Sequence, residues 1–445
     1  RAQNFYQGIN MIRNFQLGFL SLFFFAAVAG AAGLHSDEQR MMDWIDANTE
    51  SAIALLEETV NISSGTMNHE GIRRHGKVLQ RELDALGFSS EWIGMPAEMQ
   101  RAGHLFSQRH RNNRRKILMI GHLDTVFEAD DGFQSYDRKG DTAHGPGVED
   151  MKSGNVVIVY ALKALKEIGA LDDVSVTVAY TGDEENAGSP LSLSKGDLID
   201  AGKWADISLG FEGGISDDGQ DWATISRRSS SNWFLEVNGK QAHSSRIFAE
   251  GFGHGAIFEA ARILNEFDSK LAGEEYLTFN AGTIQGGTNV EYDLEENRGS
   301  TFGKTNVIPN RVIVHGDIRT ISQEQLERTR NAMREIVASN LPDTSARIEF
   351  EDRYPPMEPS EGNRRLHTVL SAINEDMGRG AMPIVDPSRR GAADISFVDP
   401  YSDSLAGLGA VGKGGHTPNE SLDLTSMPVA IKRAALLIYR LAHEN

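Results

Sequence analysis

Cysteine is absent from all 445 residues of the chain. That excludes disulfides, thiolate metal ligands and a lipid-modified cysteine behind the leader. Any metal must be held by histidine, aspartate and glutamate, a donor set that suits zinc, manganese or cobalt, with zinc the default in a hydrolase. Positive charge is scarce too. Lys+Arg number 44 against 63 Asp+Glu, for a formal net charge of −19. A nucleic-acid binder normally carries a basic face, so this balance argues against that class. Long apolar runs are missing except at the N-terminus. There Met11-Ile12-Arg13 precedes an apolar stretch from Leu17 to Val28, and Ala27-Val28-Ala29 or Ala29-Gly30-Ala31 supplies a small-x-small site. The pattern predicts a secretory signal peptide over residues 11–33, since the run is short for a membrane span. An uncleaved anchor is the alternative. The residues before Met11 read as sequence upstream of the true start. The expected mature chain begins near Gly33 and works in the periplasm or outside the cell, with no membrane contact after cleavage.

What remains has ordinary globular composition, 40% hydrophobic and 24% charged. Its length predicts two domains. The organising stretch is Gly121-His122-Leu123-Asp124-Thr125-Val126, after the apolar run Ile117-Leu118-Met119-Ile120. The run reads as a buried strand. A histidine at its end sits where open α/β sheets build their sites. An aspartate two residues on can orient that imidazole, as carboxylates do for zinc-bound histidines. Alone, the motif also reads as a polar turn.

Two further strands end in acids. Val174–Tyr180 runs into Thr181-Gly182-Asp183-Glu184-Glu185, and Ile207–Phe211 into Glu212-Gly213-Gly214. Consecutive acids repel one another, so they point to a bound cation or to an acid that carries a proton. Asp150 stands ahead of a helix expected over 155–168. It reads either as an N-cap or as a carboxylate bridging two metals. Gly412–Glu420 is a glycine-rich loop carrying His416.

Elsewhere, Ser36-Asp37-Glu38-Gln39 reads as a capping box opening a helix that carries Met41, Ile45, Ile53 and Leu56. A second helix spans about His69 to Leu86, with Gly87 as its stop. Arg109–Lys116 and the charged 291–304 stretch read as loops, and 388–394 as a polar turn. His69, His75, His254 and His443 are expected at the surface. From Trp222 the pattern becomes β-α-β-β-α-β, the split βαβ unit. The expected division is 34–221 and 356–445 for one domain and 222–355 for an insertion.

Taken together the motifs resemble the di-zinc metallopeptidases that include carboxypeptidase-G-type glutamate carboxypeptidases, aminoacylases, succinyl-diaminopimelate desuccinylases and some di- and tripeptidases. The resemblance rests on residues 121–126, 145–154, 181–185, 211–214, Gly239-Lys240-Gln241-Ala242-His243-Ser244, Asn306-Val307-Ile308-Pro309, Asp317-Ile318-Arg319 and 414–420, in the family's order. Asp46-Ala47-Asn48 and 60–66 add likeness to the glutamate carboxypeptidases.

The resemblance implies an α/β fold, a zinc-exopeptidase-like catalytic domain with an inserted ferredoxin-like βαββαβ lid that also makes a homodimer. It implies two zinc ions per subunit: one held by His122, Glu212 and Asp150, the other by Glu185, His416 and the same Asp150. Glu184 would be the general base, and Asp124 would orient His122. His243 would reach the partner's site and stabilise the oxyanion. Asn306 and Arg319 would bind the substrate carboxylate. In isolation His416 and His243 also read as surface histidines, and Arg319 as a strand salt bridge. Two departures stand out: a serine after His243, and Arg390-Gly391-Ala392-Ala393-Asp394 where the carboxypeptidases carry a glycine/threonine-rich loop. The implied reaction is hydrolysis of an amide beside a free carboxylate, in a small peptide or N-acyl amino acid. An aminoacylase or dipeptidase is the alternative. A non-catalytic binding protein would lack Glu184 or a ligand, and none is missing.

Overall fold

A computed structural model of the chain describes residues 34–294 and 297–444. The segment expected to be a signal peptide lies outside them. Among the described residues no helix is long and apolar enough to cross a membrane.

The principal sheet has six strands in the order Ser89–Ile93, His104–Arg109, Val174–Thr181, Arg115–His122, Ile207–Gly210, Asp403–Leu405. The last four run parallel, and the first two form an antiparallel edge. Every residue of Val174–Thr181 is buried, as expected where helices cover both faces of a parallel sheet. Alternation divides the side chains. Ile117 and Met119 join the large core with helices Ser153–Glu167 and Ser426–His443. Leu118 and Ile120 join a second core with Leu198 and Val398. The basic 109–116 stretch is the connection between strands that flank Val174–Thr181 on opposite sides.

The first helical stretch differs from expectation. It is two helices, Ser36–Ala47 and Thr49–Val60. Asn48 ends the first by donating its side-chain amide to the Trp44 carbonyl, 2.8 Å away, a local bond that competes with helix. The cap lies one residue earlier than Ser36: the His35 amide donates to Glu38 at 2.9 Å. The helix His69–Asp84 carries a further correction. His75 is fully buried, with Nδ1 2.9 Å from the Leu123 carbonyl. Burial pushes its pKa down to about 3. Ile72, His75, Leu79 and Leu83 share one helical face, so the apolar stripe carries the histidine inward with it.

Residues 230–354 build a second, antiparallel sheet in the order Thr278–Gly287, Arg311–Arg319, Ser230–Gly239, Thr344–Tyr354. That order, second, third, first and fourth in sequence, is the split βαβ arrangement. Helices Gly255–Leu271 and Gln323–Ala338 share a separate core with Trp233, Leu235, Val312 and Val314. The second helix opens on Ser322, whose hydroxyl accepts from the Gln325 amide at 3.1 Å. The 291–304 stretch is not a plain loop. Asn289–Asp293 and Arg298–Phe302 pair as an antiparallel ribbon. Its charge conceals a strand whose Val290 is buried and whose Tyr292 hydroxyl meets Thr283 at 3.0 Å. The two chain crossings into and out of this second sheet's domain lie side by side, Arg227 and Met357 exchanging main-chain hydrogen bonds of 3.0 Å each.

Trp233 is the largest side chain in this separate core and is 1% exposed. Trp233→Ala should cost about 3–5 kcal/mol of this domain's stability, read by chemical denaturation followed with a probe placed in it. A loss below about 1 kcal/mol would contradict this packing.

Candidate metal centre

Three parallel strands deliver the site residues at their carboxyl ends, the position α/β sheets use for ligands. His122 is the last residue of its strand, Glu184 and Glu185 follow Thr181, and Glu212 follows Gly210. Asp150 comes from the turn before helix Ser153–Glu167, and His416 from the glycine-rich loop.

Asp150 lies between two imidazoles. Its Oδ1 is 3.1 Å from His122 Nε2, and its Oδ2 is 3.1 Å from His416 Nε2. His416 Nε2 is also 3.2 Å from Glu185 Oε2. Two donor groups result, His122 with Glu184 and Glu185, and Asp150 with Glu185 and His416, each with ligand atoms within 4.8 Å of one another. Asp150 does not cap the helix. Its own backbone is non-helical, and its carboxylate faces the histidines.

The charges explain one another. Burial works against the carboxylate of Asp150, but hydrogen bonds from His122 and His416 hold its pKa well below the usual range. Burial also opposes the imidazolium of His122, yet Asp124 and Asp150 keep its pKa well above normal. His416 is raised to about 11 by its bonds to Asp150 and Glu185. Burial pushes Glu185 up to about 7 despite His416. Burial raises Glu184 strongly, and the nearby Glu212, Asp394 and Glu185 add repulsion.

Asp124 meets His122 as expected and does more besides. Its main-chain carbonyl lies 3.0 Å from His122 Nδ1, nearer than its carboxylate at 3.5 Å. The carboxylate also accepts from the Thr66 hydroxyl at 2.7 Å and from the amides of Glu184 and Glu185 at 3.0 and 3.1 Å. It therefore holds the acid turn as well as the histidine. The three acids of that turn also separate. Asp183 faces Lys195 at 2.9 Å, while Glu184 and Glu185 turn to the cluster.

Glu212 stands apart from both donor groups. Its Oε2 is 2.5 Å from Arg227 Nη2 and 4.0 Å from Arg390 Nη2. It does share a small cavity with His122, Arg227 and Asp394. Arg319, His243 and Asn306, on the inserted domain, are not among the residues gathered in the two donor groups. Arg319 pairs with Asp317 at 3.2 Å, the ordinary strand salt bridge. His243 Nδ1 is 2.9 Å from the Ser245 hydroxyl. The Asn306 carbonyl accepts from the Ser244 amide at 2.9 Å, so His243 and Asn306 neighbour each other on the lid.

Four supporting residues escaped the sequence reading. Glu420 is fully buried and accepts from the amides of Gly147, Glu149 and Asp150 at 3.1, 2.8 and 3.0 Å. Lys195 is fully buried between Asp183 and Asp394, 2.9 Å from each. Arg227 and Tyr354 reach the site from the two crossings to the inserted domain. The 388–394 stretch, expected as a polar turn, carries this buried Asp394 and a mostly buried Arg390. Buried charges need partners, and here the partners are distant in sequence. The acid Glu420 inside a glycine-rich loop was the one local clue.

The donor set fits metal ions. All of it is imidazole nitrogen and carboxylate oxygen. Glu185 Oε1 is buried without a hydrogen-bond partner among the described residues, an oxygen able to take a cation.

Histidines and carboxylates gathered at the open end of a parallel sheet, with one carboxylate between two imidazoles, define a metal-binding hydrolase centre. Residues 118–440 match the model of Peptidase family M20/M25/M40, and the chain belongs to that family. It is 28% identical over 426 residues to carboxypeptidase G2 of Pseudomonas sp. (strain RS-16), covering 93% of this chain and 94% of that one. It is 26% identical over 391 residues to succinyl-diaminopimelate desuccinylase of Dinoroseobacter shibae, covering 84% and 95%. The fold is similar to that of aminopeptidase PepT from Bacillus cereus, with a TM-score of 0.68 at 18% identity over 89% of this chain and 99% of that one.

Metal ligands must shed their protons to bind. With Glu185 near 7 and His416 near 11, binding at pH 6 displaces protons from both, and at pH 8 mainly from histidine. Metal affinity should therefore rise from pH 6 to pH 8, with fewer protons released at the higher pH. Calorimetric titration in buffers of different ionisation enthalpy measures both. Equal affinity and no proton release at the two pH values would contradict this electrostatic picture.

Proposed function

We propose that the protein is a zinc-dependent exopeptidase that cleaves the amide bond before a C-terminal residue bearing a free carboxylate, in the manner of a glutamate carboxypeptidase. The observation that carries the reading is Asp150 between His122 and His416, with the high-pKa Glu184 beside them. Family membership and the extended likeness to carboxypeptidase G2 support it.

In this reading His122, Asp150 and Glu212 hold one zinc, and Asp150, Glu185 and His416 hold the second. The metal pair, when bound, polarises the scissile carbonyl and makes water more acidic. Glu184 takes a proton from water at its carboxylate as the water oxygen bonds to the scissile carbonyl carbon, and returns it to the amine nitrogen as the C–N bond breaks. Burial raises the Glu184 pKa well above the usual carboxylate range, which helps it hold the proton between the two transfers. Arg319 can bind a substrate carboxylate through two parallel N–H bonds, and Asn306 can add a hydrogen bond to it. His243 serves the oxyanion in the site of a second subunit. The homodimer this requires would use the lid, where Ile257, Phe258, Ile284 and Phe302 are exposed. Large exposed apolar side chains on one domain mark an interaction surface. The apolar leader carries the proposal that the mature enzyme works in the periplasm or outside the cell.

A second reading, an N-acyl-amino-acid amidohydrolase or dipeptidase, draws on the loop at 390–394. Arg390 lies 4.0 Å from Glu212, where the carboxypeptidase loop is glycine/threonine-rich. The added guanidinium changes what the substrate side chain meets.

The test uses the mature chain with zinc against N-acyl-glutamates, other N-acyl amino acids and dipeptides. Glutamate-selective release is expected. Glu184→Gln should lower kcat by about 100- to 10,000-fold while zinc remains bound. Release without glutamate preference would favour the second reading. Undiminished kcat in the variant would remove Glu184 as base.

A further inference from the structure

Both chain crossings between the catalytic domain and the lid end on a side chain that grips the site. On the way in, Arg227 is 3% exposed. Its Nη2 meets Glu212 Oε2 at 2.5 Å, and its Nη1 donates to the Gly391 carbonyl at 2.9 Å. One guanidinium thus spans a candidate ligand and the loop behind it. On the way out, the lid strand Thr344–Tyr354 ends at Tyr354. Its hydroxyl donates to the main-chain carbonyl of Glu184 at 2.6 Å. Asp124 already accepts from the Glu184 amide at 3.0 Å. Glu184 is therefore pinned on both sides, from the catalytic domain through its N–H and from the lid through its C=O. The paired main-chain bonds of Arg227 and Met357 make the two crossings one antiparallel unit. A shift of the lid at this unit reaches Glu212 and Glu184 together.

We propose that Arg227 and Tyr354 are positioning residues through which the seating of the lid sets the aim of Glu212 and Glu184. The inference rests on the reading of Glu212 as a ligand and Glu184 as the base. Partners that orient metal ligands typically change metal affinity or activity by 10- to 100-fold when removed. The rival explanation is a hinge that merely holds the domains together. It predicts that both variants lose melting temperature and nothing else.

The two arms separate these explanations. In zinc titrations of chelator-stripped mature protein, Arg227→Met should weaken one of the two zinc equivalents by about 10- to 100-fold and spare the other. Tyr354→Phe removes one hydroxyl and keeps the ring. It should leave both zinc affinities within about twofold and lower kcat about tenfold at unchanged KM. Melting temperatures of the metal-free variants control for folding. If Arg227→Met fails to fold, Arg227→Lys replaces it. Lysine keeps the charge but cannot span two acceptors as a fork, so the same equivalent should weaken by less. Wild-type zinc binding in the Arg227 variant together with wild-type kcat in Tyr354→Phe would overturn the proposal. If the unaltered protein cleaves no amide substrate, the proposed function fails while the Arg227 titration still decides the inference.

Discussion

The carboxylate of Asp150 stands between two imidazoles, and the rest of the site is arranged to keep it there. Even a half-buried carboxylate is costly unless positive or hydrogen-bonding groups face it. His122 and His416 supply that on opposite oxygens. Glu184, Glu185 and Glu212 then crowd the same edge of the sheet, where burial and mutual repulsion raise the pKa values of Glu184 and Glu185. Such a concentration of acid is a poor way to build a stable core. It is a reasonable way to hold cations and to keep one proton mobile.

Behind this layer sits a second one that carries no chemistry of its own. Glu420 takes three main-chain donors, the amides of Gly147, Glu149 and Asp150, from the turn that presents Asp150. Asp124 takes the amides of the acid turn. Lys195 joins that turn to the 394 loop through two aspartates. Removing one partner from a buried ion pair typically costs about 3–5 kcal/mol, because the other charge is left uncompensated. The strands set where the residues start, and these buried contacts set where they point.

Much of this was legible from local pattern. Strand-end positions placed His122, the acid turn and Glu212 at one edge, because a buried strand has a clear apolar signature and its end is a fixed place in space. The split βαβ order of the inserted domain followed from alternating periods in the same way. Burial of His75 was legible too, since the phase of Ile72, Leu79 and Leu83 includes it; the expectation of a surface histidine came from residue type rather than position. The roles of Lys195, Thr66 and Glu420 were not legible, although Glu420 stood out as an acid inside a glycine-rich loop. Their roles depend on partners brought close only by folding, and a lone lysine or glutamate has no period. The orientation of Glu212 toward Arg227 is of the same kind, as is the sharing of tasks between the carbonyl and carboxylate of Asp124.

The central claim is that Asp150 joins two metal sites. The most direct measurement is the metal content per chain, by elemental analysis of the purified protein after equilibration with zinc and removal of free ion, beside Asp150→Ala. The account predicts two equivalents in the unaltered chain and loss of both in the variant, with the fold retained. One equivalent surviving in the variant would show that Asp150 does not bridge, and no bound metal in the unaltered chain would contradict the account itself.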